Sequence, residues 1–331
     1  MMKKEFIARL VIILFLGIAI LIPVAGRQFF PIFSKDKLVE IHARMPENGG
    51  WSPAIIKAAV GQPIHLRLIS DDVLHSFAIG QSDQPPLDLP PGEVVDTTLI
   101  FNQPGRYTFY CTRWCGVNHW RMRGIIEVSG PGQTTDKQPE PLYLRLNLDL
   151  DAPHLASVIP EKQPSAERGA QFANRLPVYA TDPYTYQTNS PTQLWQQLRT
   201  EANLRELSDA DLWDVVAYIW QNHTTPQKVA QGANLFSTNC AACHGETGRG
   251  DGVMFANLPA MNPQDKKHGL TRPPDFTNQQ VLLGASPAIL EGKIIRGGMG
   301  TGMPYWGPIF TSNQIDALVS YLYTFALQSA N

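Results

Sequence analysis

All four cysteines of this 331-residue chain fall in two tight clusters, Cys111 with Cys115 and Cys240 with Cys243, and a histidine closes each cluster. Four thiols are too few for a disulfide-dense secreted scaffold, and the two clusters leave none spare for a structural bridge. The fold must therefore build two local sites. At roughly 100–200 residues per domain the chain is long enough to give each its own core. Its 27 prolines, well above the average of about 5%, point to strand edges, turns and linkers rather than an all-helical body. A content of 43% hydrophobic and 17% charged residues excludes wholesale disorder. A net charge of −2 offers no basic footprint, so no nucleic acid is expected as a partner.

The second cluster reads Cys240-Ala241-Ala242-Cys243-His244, the C-x-x-C-H pattern of c-type haem attachment. Two thiols three apart on a helical turn reach both vinyl groups of one porphyrin, and the adjoining His244 delivers an imidazole to the iron. A thioredoxin-like pair or half a zinc site would not require the histidine. A six-coordinate electron-transfer iron needs a second axial ligand, and methionine raises its potential. Met254, Met261, Met299 and Met303 lie downstream. Met303 sits in Gly302-Met303-Pro304-Tyr305-Trp306, a rigid loop before the last helical stretch, with Met299 as the fallback and His268 a weaker choice. This loop resembles the distal-ligand loop of the cytochrome c family, and residues 226–331 resemble a class I cytochrome c domain. The resemblance implies one haem c bound covalently through Cys240 and Cys243, with His244 and Met303 axial to the iron.

The first cluster, Cys111 to Met122, reduces to C-x3-C-x3-H-x2-M, with His75 upstream in Asp71-Asp72-Val73-Leu74-His75-Ser76-Phe77. Soft thiolate and thioether with two imidazoles suit copper. A single-copper blue site uses one cysteine, whereas two cysteines four apart can bridge two coppers. A structural zinc held by His75, Cys111, Cys115 and His119 is the alternative, and it leaves Met122 without a role. The pattern resembles the CuA site of cytochrome c oxidase subunit II, which His75-Ser76-Phe77 and Cys115-Gly116 also fit. That resemblance implies a binuclear copper centre bridged by Cys111 and Cys115. His75 and His119 would each bind one copper, and Met122 would be axial to one. The sixth ligand would be the main-chain carbonyl of Arg113. The family usually has glutamate there, its side chain facing a metal at the subunit contact. The carbonyl survives the change, whereas the interfacial metal and the usual docking surface are put in question. Nitrous oxide reductase carries a similar loop, including Met122-Arg123-Gly124, but its many-bladed catalytic propeller has no counterpart in a chain with 8 histidines.

Around these clusters the chain divides by pattern. Lys3, Lys4 and Arg9 precede an uncharged run over 10–26, closed by Arg27. Such a run spans about 26 Å as a helix, the short end of what crosses a bilayer. The positive-inside rule then leaves the N-terminus in the cytoplasm. A cleaved signal peptide ending near Val24-Ala25-Gly26 would export the remainder equally. Residues 1–35 are thus expected as a single-pass anchor in a bacterial cell membrane, with the cofactor domains on the extracytoplasmic face. Residues 36–130 read as short strands, with alternation at Ile64-His65-Leu66-Arg67-Leu68, β-formers over 94–101, and further strands at 107–110 and 124–128. A small β-sandwich follows, which the resemblance to the CuA site makes cupredoxin-like. Residues 131–165, broken by Pro139, Pro141, Pro153 and Pro160, form a linker or surface-hugging connection.

From 166 onward the period is helical. Ser208-Asp209-Ala210-Asp211 opens one amphipathic helix, and a second runs from 311 to about 327. The two match at a shift of 103, pairing Tyr218 with Tyr321, while Arg168-Gly169-Ala170-Gln171 matches Gln231-Gly232-Ala233-Asn234 at a shift of 63. Residues 166–225 read either as a haemless remnant of the cytochrome c domain at 226–331 or as helices alike by chance. The expected fold is multidomain: an N-terminal transmembrane helix, an all-β cupredoxin-like sandwich, then an all-α cytochrome c domain.

Trp114 and Trp120 flank the first loop, either lining an electron path or burying its rim. Arg113, Arg121 and Arg123 form a basic collar for an acidic partner, lipid head groups or solvent. His42, His65, His154 and His223 read as surface or packing residues. No catalytic triad, phosphate loop or carboxylate pair suggests independent catalysis. Taken together, the resemblances imply the subunit through which electrons enter a membrane haem–copper terminal oxidase. A donor (cytochrome c, a cupredoxin or a membrane complex) would reduce haem c, and CuA would pass electrons to the catalytic subunit. The alternative is a stand-alone, membrane-tethered CuA/haem c carrier serving another terminal reductase.

Overall fold

The computed structural model describes residues 37–82, 84–116, 119–132, 140–256, 272–298 and 302–327. The expected anchor over 10–26 lies outside the described residues, as do Met261, Met299 and His268. Among the described residues no helix is long and apolar enough to cross a membrane.

Among the described residues the N-terminal half is a sandwich of nine strands: β1 (Lys37–Ala43), β2 (Trp51–Ser52), β3 (Ile55–Ala59), β4 (Ile64–Ser70), β5 (His75–Ile79), β6 (Leu87–Leu89), β7 (Val94–Leu99), β8 (Gly105–Tyr110) and β9 (Arg123–Ser129). One sheet runs β2-β1-β4-β7 and the other β3-β9-β8-β5-β6. Strand β4 shows why two layers form. Ile64, Leu66 and Leu68 are buried between the sheets, while His65 and Arg67 point outward to Thr98 and Asp96 on β7. This alternation of period two is what a half-buried strand requires. Trp51, Phe77 and Phe109 fill the centre, with ring centroids 5.4–5.9 Å apart. Gly124 on β9 packs directly on Phe109, where an added Cβ would lie 2.6 Å from the ring's Cε1 and Cε2 and closer still to Cζ. A side chain there would force the ring from beneath the loop that β8 and β9 support.

The C-terminal half is helical. Each long helix begins at a residue that caps it: Ser208 and Thr311 form capping boxes with Asp211 and Gln314, opening Asp209–Asn222 and Ser312–Tyr323. Two matching crossings organise this half. Gly169 on Ala166–Ala170 meets Asp209–Asn222 at the Asp214 carbonyl and Tyr218 Cβ. Gly232 on Pro226–Asn239 meets Ser312–Tyr323 at the Ala317 carbonyl and Tyr321 Cβ. Only a residue without Cβ lets the backbones approach this closely. At the first crossing the buried Asp214 carboxylate accepts from Arg168 Nε and Nη2 and from the Ser165 amide, each at 2.7 Å.

Residues 140–165 pack as a strap. A short helix, Leu142–Arg145, forms where prolines were expected to keep helices out; Pro141 stands at its N-cap, outside the helical hydrogen bonds. Leu142, Leu150 and Ala156 are buried. Gly292 on Pro287–Arg296 lies against Tyr143 and Leu150, and Arg296 pairs with Asp151 at 2.6 Å.

The two halves touch. Gln81, after β5, donates from its amide to Ile309 O and from Nε2 to Gly307 O, and Gln314 Nε2 donates to Ser82 O. Arg123 Nη1 donates to Tyr305 O at 2.8 Å.

Candidate copper and haem centres

The first centre lies at one end of the sandwich. His75 opens β5, and Cys111 follows β8 directly. The loop returns through a turn at His119–Arg121 and Met122 into β9. The Cys111 amide donates to Met122 O at 3.1 Å, which ties the loop ends together. One ligand atom from each of His75, Cys111 and Cys115 lies within 4.8 Å of the others, all buried. His119 Nδ1 is 3.4 Å from Cys115 Sγ, His75 Nδ1 is 3.8 Å from Cys111 Sγ, and Arg113 O is 3.3 Å from Cys111 Sγ. Met122 is buried beneath the loop. The Cys115 thiol bonds to Cys111, which draws Cys111 well below the ordinary thiol range and pushes Cys115 up. Soft metal ions bind cysteine as thiolate, so a metal pair held here would take both sulfurs deprotonated. This soft, converging donor set fits a copper pair.

Asp72 is a functional residue that the sequence reading passed over. Its Oδ1 bonds His75 Nε2 at 2.8 Å, leaving Nδ1 directed at the thiolate. Burial would raise the Asp72 pKa, but the amide of Met45, with His75, Asn48 and the amide of Val73, holds the carboxyl at about 2. A carboxylate that orients a ligating imidazole is the usual outer support of a metal site. Its signal was an aspartate three residues before the histidine.

The arginine collar does not form as one surface. Arg113 makes a bidentate pair with Asp88 on β6, at 2.8 and 2.7 Å, and Arg121 is exposed. Arg123 is half-buried under the helical half, where it meets Tyr305 and Trp306. The Trp114 ring stands 5.8 Å from the His119 ring.

In the second centre, the helix Pro226–Asn239 ends at Cys240, and the turn Ala241–His244 follows. Cys240, Cys243, His244 and Met303 line one cavity of about 170 Å³. Met254 also lines it, its Sδ 2.9 Å from Cys243 Sγ. Burial pushes the Cys240 and Cys243 thiols up to about 12 and about 11. It lowers His244 to about 4, which leaves a neutral imidazole able to bind a metal. His244 stacks on Phe276 at 4.8 Å, and its buried Nδ1 has no hydrogen-bond partner among the described residues. A large apolar cavity with two thiols and an orphaned imidazole on its walls fits a covalently held haem. Trp114 and His119 of the copper loop form part of the same wall.

Residues 51–129 match the family model for the cytochrome c oxidase subunit II periplasmic domain, and residues 229–326 match that for cytochrome c. The chain joins a subunit II periplasmic domain to a cytochrome c domain. Cytochrome c oxidase subunit 2 of Thermus thermophilus is 33% identical over 79 residues, covering 24% of this chain and 58% of that protein. The Cbb3-type cytochrome c oxidase subunit FixP of Azorhizobium caulinodans is 30% identical over 123 residues, 36% of each. The chain thus spans between about a third and three-fifths of the length of these curated relatives. A chain from a cryo-EM structure of a heme-copper terminal oxidase dimer is 27% identical, covering 38% of this chain and 99% of that one, with a TM-score of 0.26. The subunit II match is to a periplasmic domain, which sets residues 51–129 outside the cytoplasm. Both domains belong to electron transport.

Proposed function

We propose that this chain is the subunit through which single electrons enter a membrane haem–copper terminal oxidase, passing from a donor by way of haem c and a binuclear CuA centre to the catalytic subunit. The donor would be a cytochrome c, a cupredoxin or a membrane complex. The observation that carries this reading is the shared wall: His119 and Trp114 of the subunit II domain line the cavity that holds Cys240, Cys243 and His244.

Bound there, the two groups would supply reversible one-electron chemistry, and this chain's residues hold and insulate them. Cys111, Cys115, His75, His119, the Arg113 carbonyl and Met122 would hold the coppers. Asp72 fixes the His75 ring, and Phe109 against Gly124 stiffens the strands beneath. Cys240 and Cys243 would hold the porphyrin, and His244 and Met303 its iron. A ligand set that cannot rearrange serves electron transfer, because both oxidation states then share one geometry. The run over 10–26 would anchor the chain in the lipid bilayer by a single pass, with the N-terminus cytoplasmic. We read residues 166–225 as a haemless copy of the cytochrome c helices, supported by the matching crossings at Gly169 and Gly232.

One observation favours a second reading, a stand-alone tethered CuA/haem c carrier. Where the family's acid faces the subunit contact, Arg113 is held by Asp88. Gentle detergent purification decides between them. A many-helix haem–copper subunit that co-purifies and consumes oxygen establishes the oxidase, whereas a cofactor-loaded protein repeatedly free of partners establishes the carrier. Metal analysis of either sample should give about two coppers per iron, and one zinc per iron would overturn the copper assignment.

A further inference from the structure

We propose that Arg123 is a positioning residue that registers the haem-bearing loop on the copper loop, so that the haem cavity opens onto His119 and Trp114. The inference rests on the relay proposed above and adds the device that sets its geometry.

Arg123 follows Met122 immediately and begins β9. Its Nη1 donates to Tyr305 O at 2.8 Å. The guanidinium carbon lies 5.1 Å from the Tyr305 ring centroid and 5.3 Å from that of Trp306. Tyr305 and Trp306 in turn follow Met303 and Pro304. One side chain therefore ties the residue after the expected axial methionine of copper to the two aromatics after the expected axial methionine of haem. Trp306 is itself fixed. It is buried, its ring stacks on Phe310 at 5.0 Å, and its amide donates to Ile294 O at 3.1 Å.

A planar guanidinium suits this place. One N–H bonds the carbonyl while the delocalised charge lies over two aromatic rings, and the preorganised fork loses less freedom in doing so than a flexible ammonium stem. Among the described residues the sandwich and the helical half also meet at Gln81, at Ser82 with Gln314, and where Gly80 packs on Pro308. Arg123 adjoins Met122 and bonds the residue two after Met303. The transfer it serves moves one electron: one centre is oxidised by one, the other is reduced by one, and no proton or atom changes place. Such transfer weakens steeply with separation, so a register held at one point governs its rate.

The test uses the full chain, loaded with haem and copper, in detergent. A photoactivated one-electron reductant starts the reaction, and equilibration between the haem and copper bands is followed. Deuterium uptake over 302–310 and 111–123 is measured in the same samples. Arg123→Met should slow equilibration on the order of tenfold and raise uptake in both segments, with both absorption spectra unchanged. Arg123→Lys, which keeps the charge and loses the fork, should behave like Arg123→Met. Tyr305→Ala, which removes one exposed ring and leaves the fold intact, should shift both readouts in the same direction by less. Wild-type rate and uptake in Arg123→Met, or full function in Arg123→Lys, would overturn the positioning role. No haem-to-copper equilibration in the wild-type chain would instead overturn the relay.

Discussion

At Gly232 an alanine Cβ would lie 2.7 Å from Tyr321 Cβ and from the Ala317 carbonyl carbon, and closer still to the carbonyl oxygen. Ordinary contact begins near 3.4 Å, so the helices Pro226–Asn239 and Ser312–Tyr323 must separate. The obstruction is backbone, which no rotamer change relieves. Overpacking of this kind costs about 3 kcal/mol at the upper end, and alanine recovers about 1 kcal/mol over glycine in a helix interior. The net loss is about 2 kcal/mol. For a body the size of the helical half this corresponds to a fall in Tm of about 4–8 °C. Far-UV circular dichroism melting of the haem-loaded protein measures it, with the haem absorption melt as a local probe. Gly169→Ala faces the Asp214 carbonyl and Tyr218 Cβ at 2.9 Å. If residues 166–225 copy the cytochrome helices, it should cost a similar amount. An unchanged or raised Tm for Gly232→Ala would refute the packing argument. A loss confined to Gly232→Ala would remove the basis for the copy.

Asp72→Asn should weaken copper binding by about 10–100-fold while leaving haem content unchanged, as read by competition with a copper chelator. Met303→Ala should abolish the sulfur-ligated haem spectrum and lower the haem potential, whereas Met254→Ala should preserve that spectrum; a reversed outcome reassigns the axial ligand. His223 stacks on Tyr186 at 4.3 Å, and burial lowers its pKa below 6.5. Above that pH both folded and unfolded chains carry it neutral. As pH falls through 6.5 the unfolded chain takes up the proton first, so stability is lost towards the folded value. Denaturant melts should show that loss in the wild type and not in His223→Phe.

The two loops whose side chains converge in the structure were legible because those side chains are crowded into short stretches. Cys111 to Met122 and Cys240 to His244 each specify chemistry within a few turns of chain. The strands were legible from alternation, as at Ile64, Leu66 and Leu68. Asp72 was not, because an aspartate beside another aspartate reads as a solvated turn until His75 is seen bonded to it. The basic collar misled for a related reason. Arg113, Arg121 and Arg123 are neighbours in sequence, yet Arg113 meets Asp88 and Arg123 meets Tyr305, 182 residues away. Pairings across such separations leave no period to read. The prolines of 131–165 said nothing of the helix Leu142–Arg145 or of Leu142, Leu150 and Ala156 entering the helical core.

The strap carries a consequence for biosynthesis. Asp151 pairs with Arg296, 145 residues later, and Leu150 packs on Gly292. During translation the sandwich is complete and can close while the strap still lacks its partner. Domains usually fold in the order they emerge, but here the apolar strap must wait through nearly the rest of the chain. A chain truncated before residue 287 would hold a closed sandwich trailing an uncovered, protease-sensitive tail. The same dependence means that a fragment limited to 226–331 would carry the haem motif yet expose the face that Tyr143 and Leu150 cover.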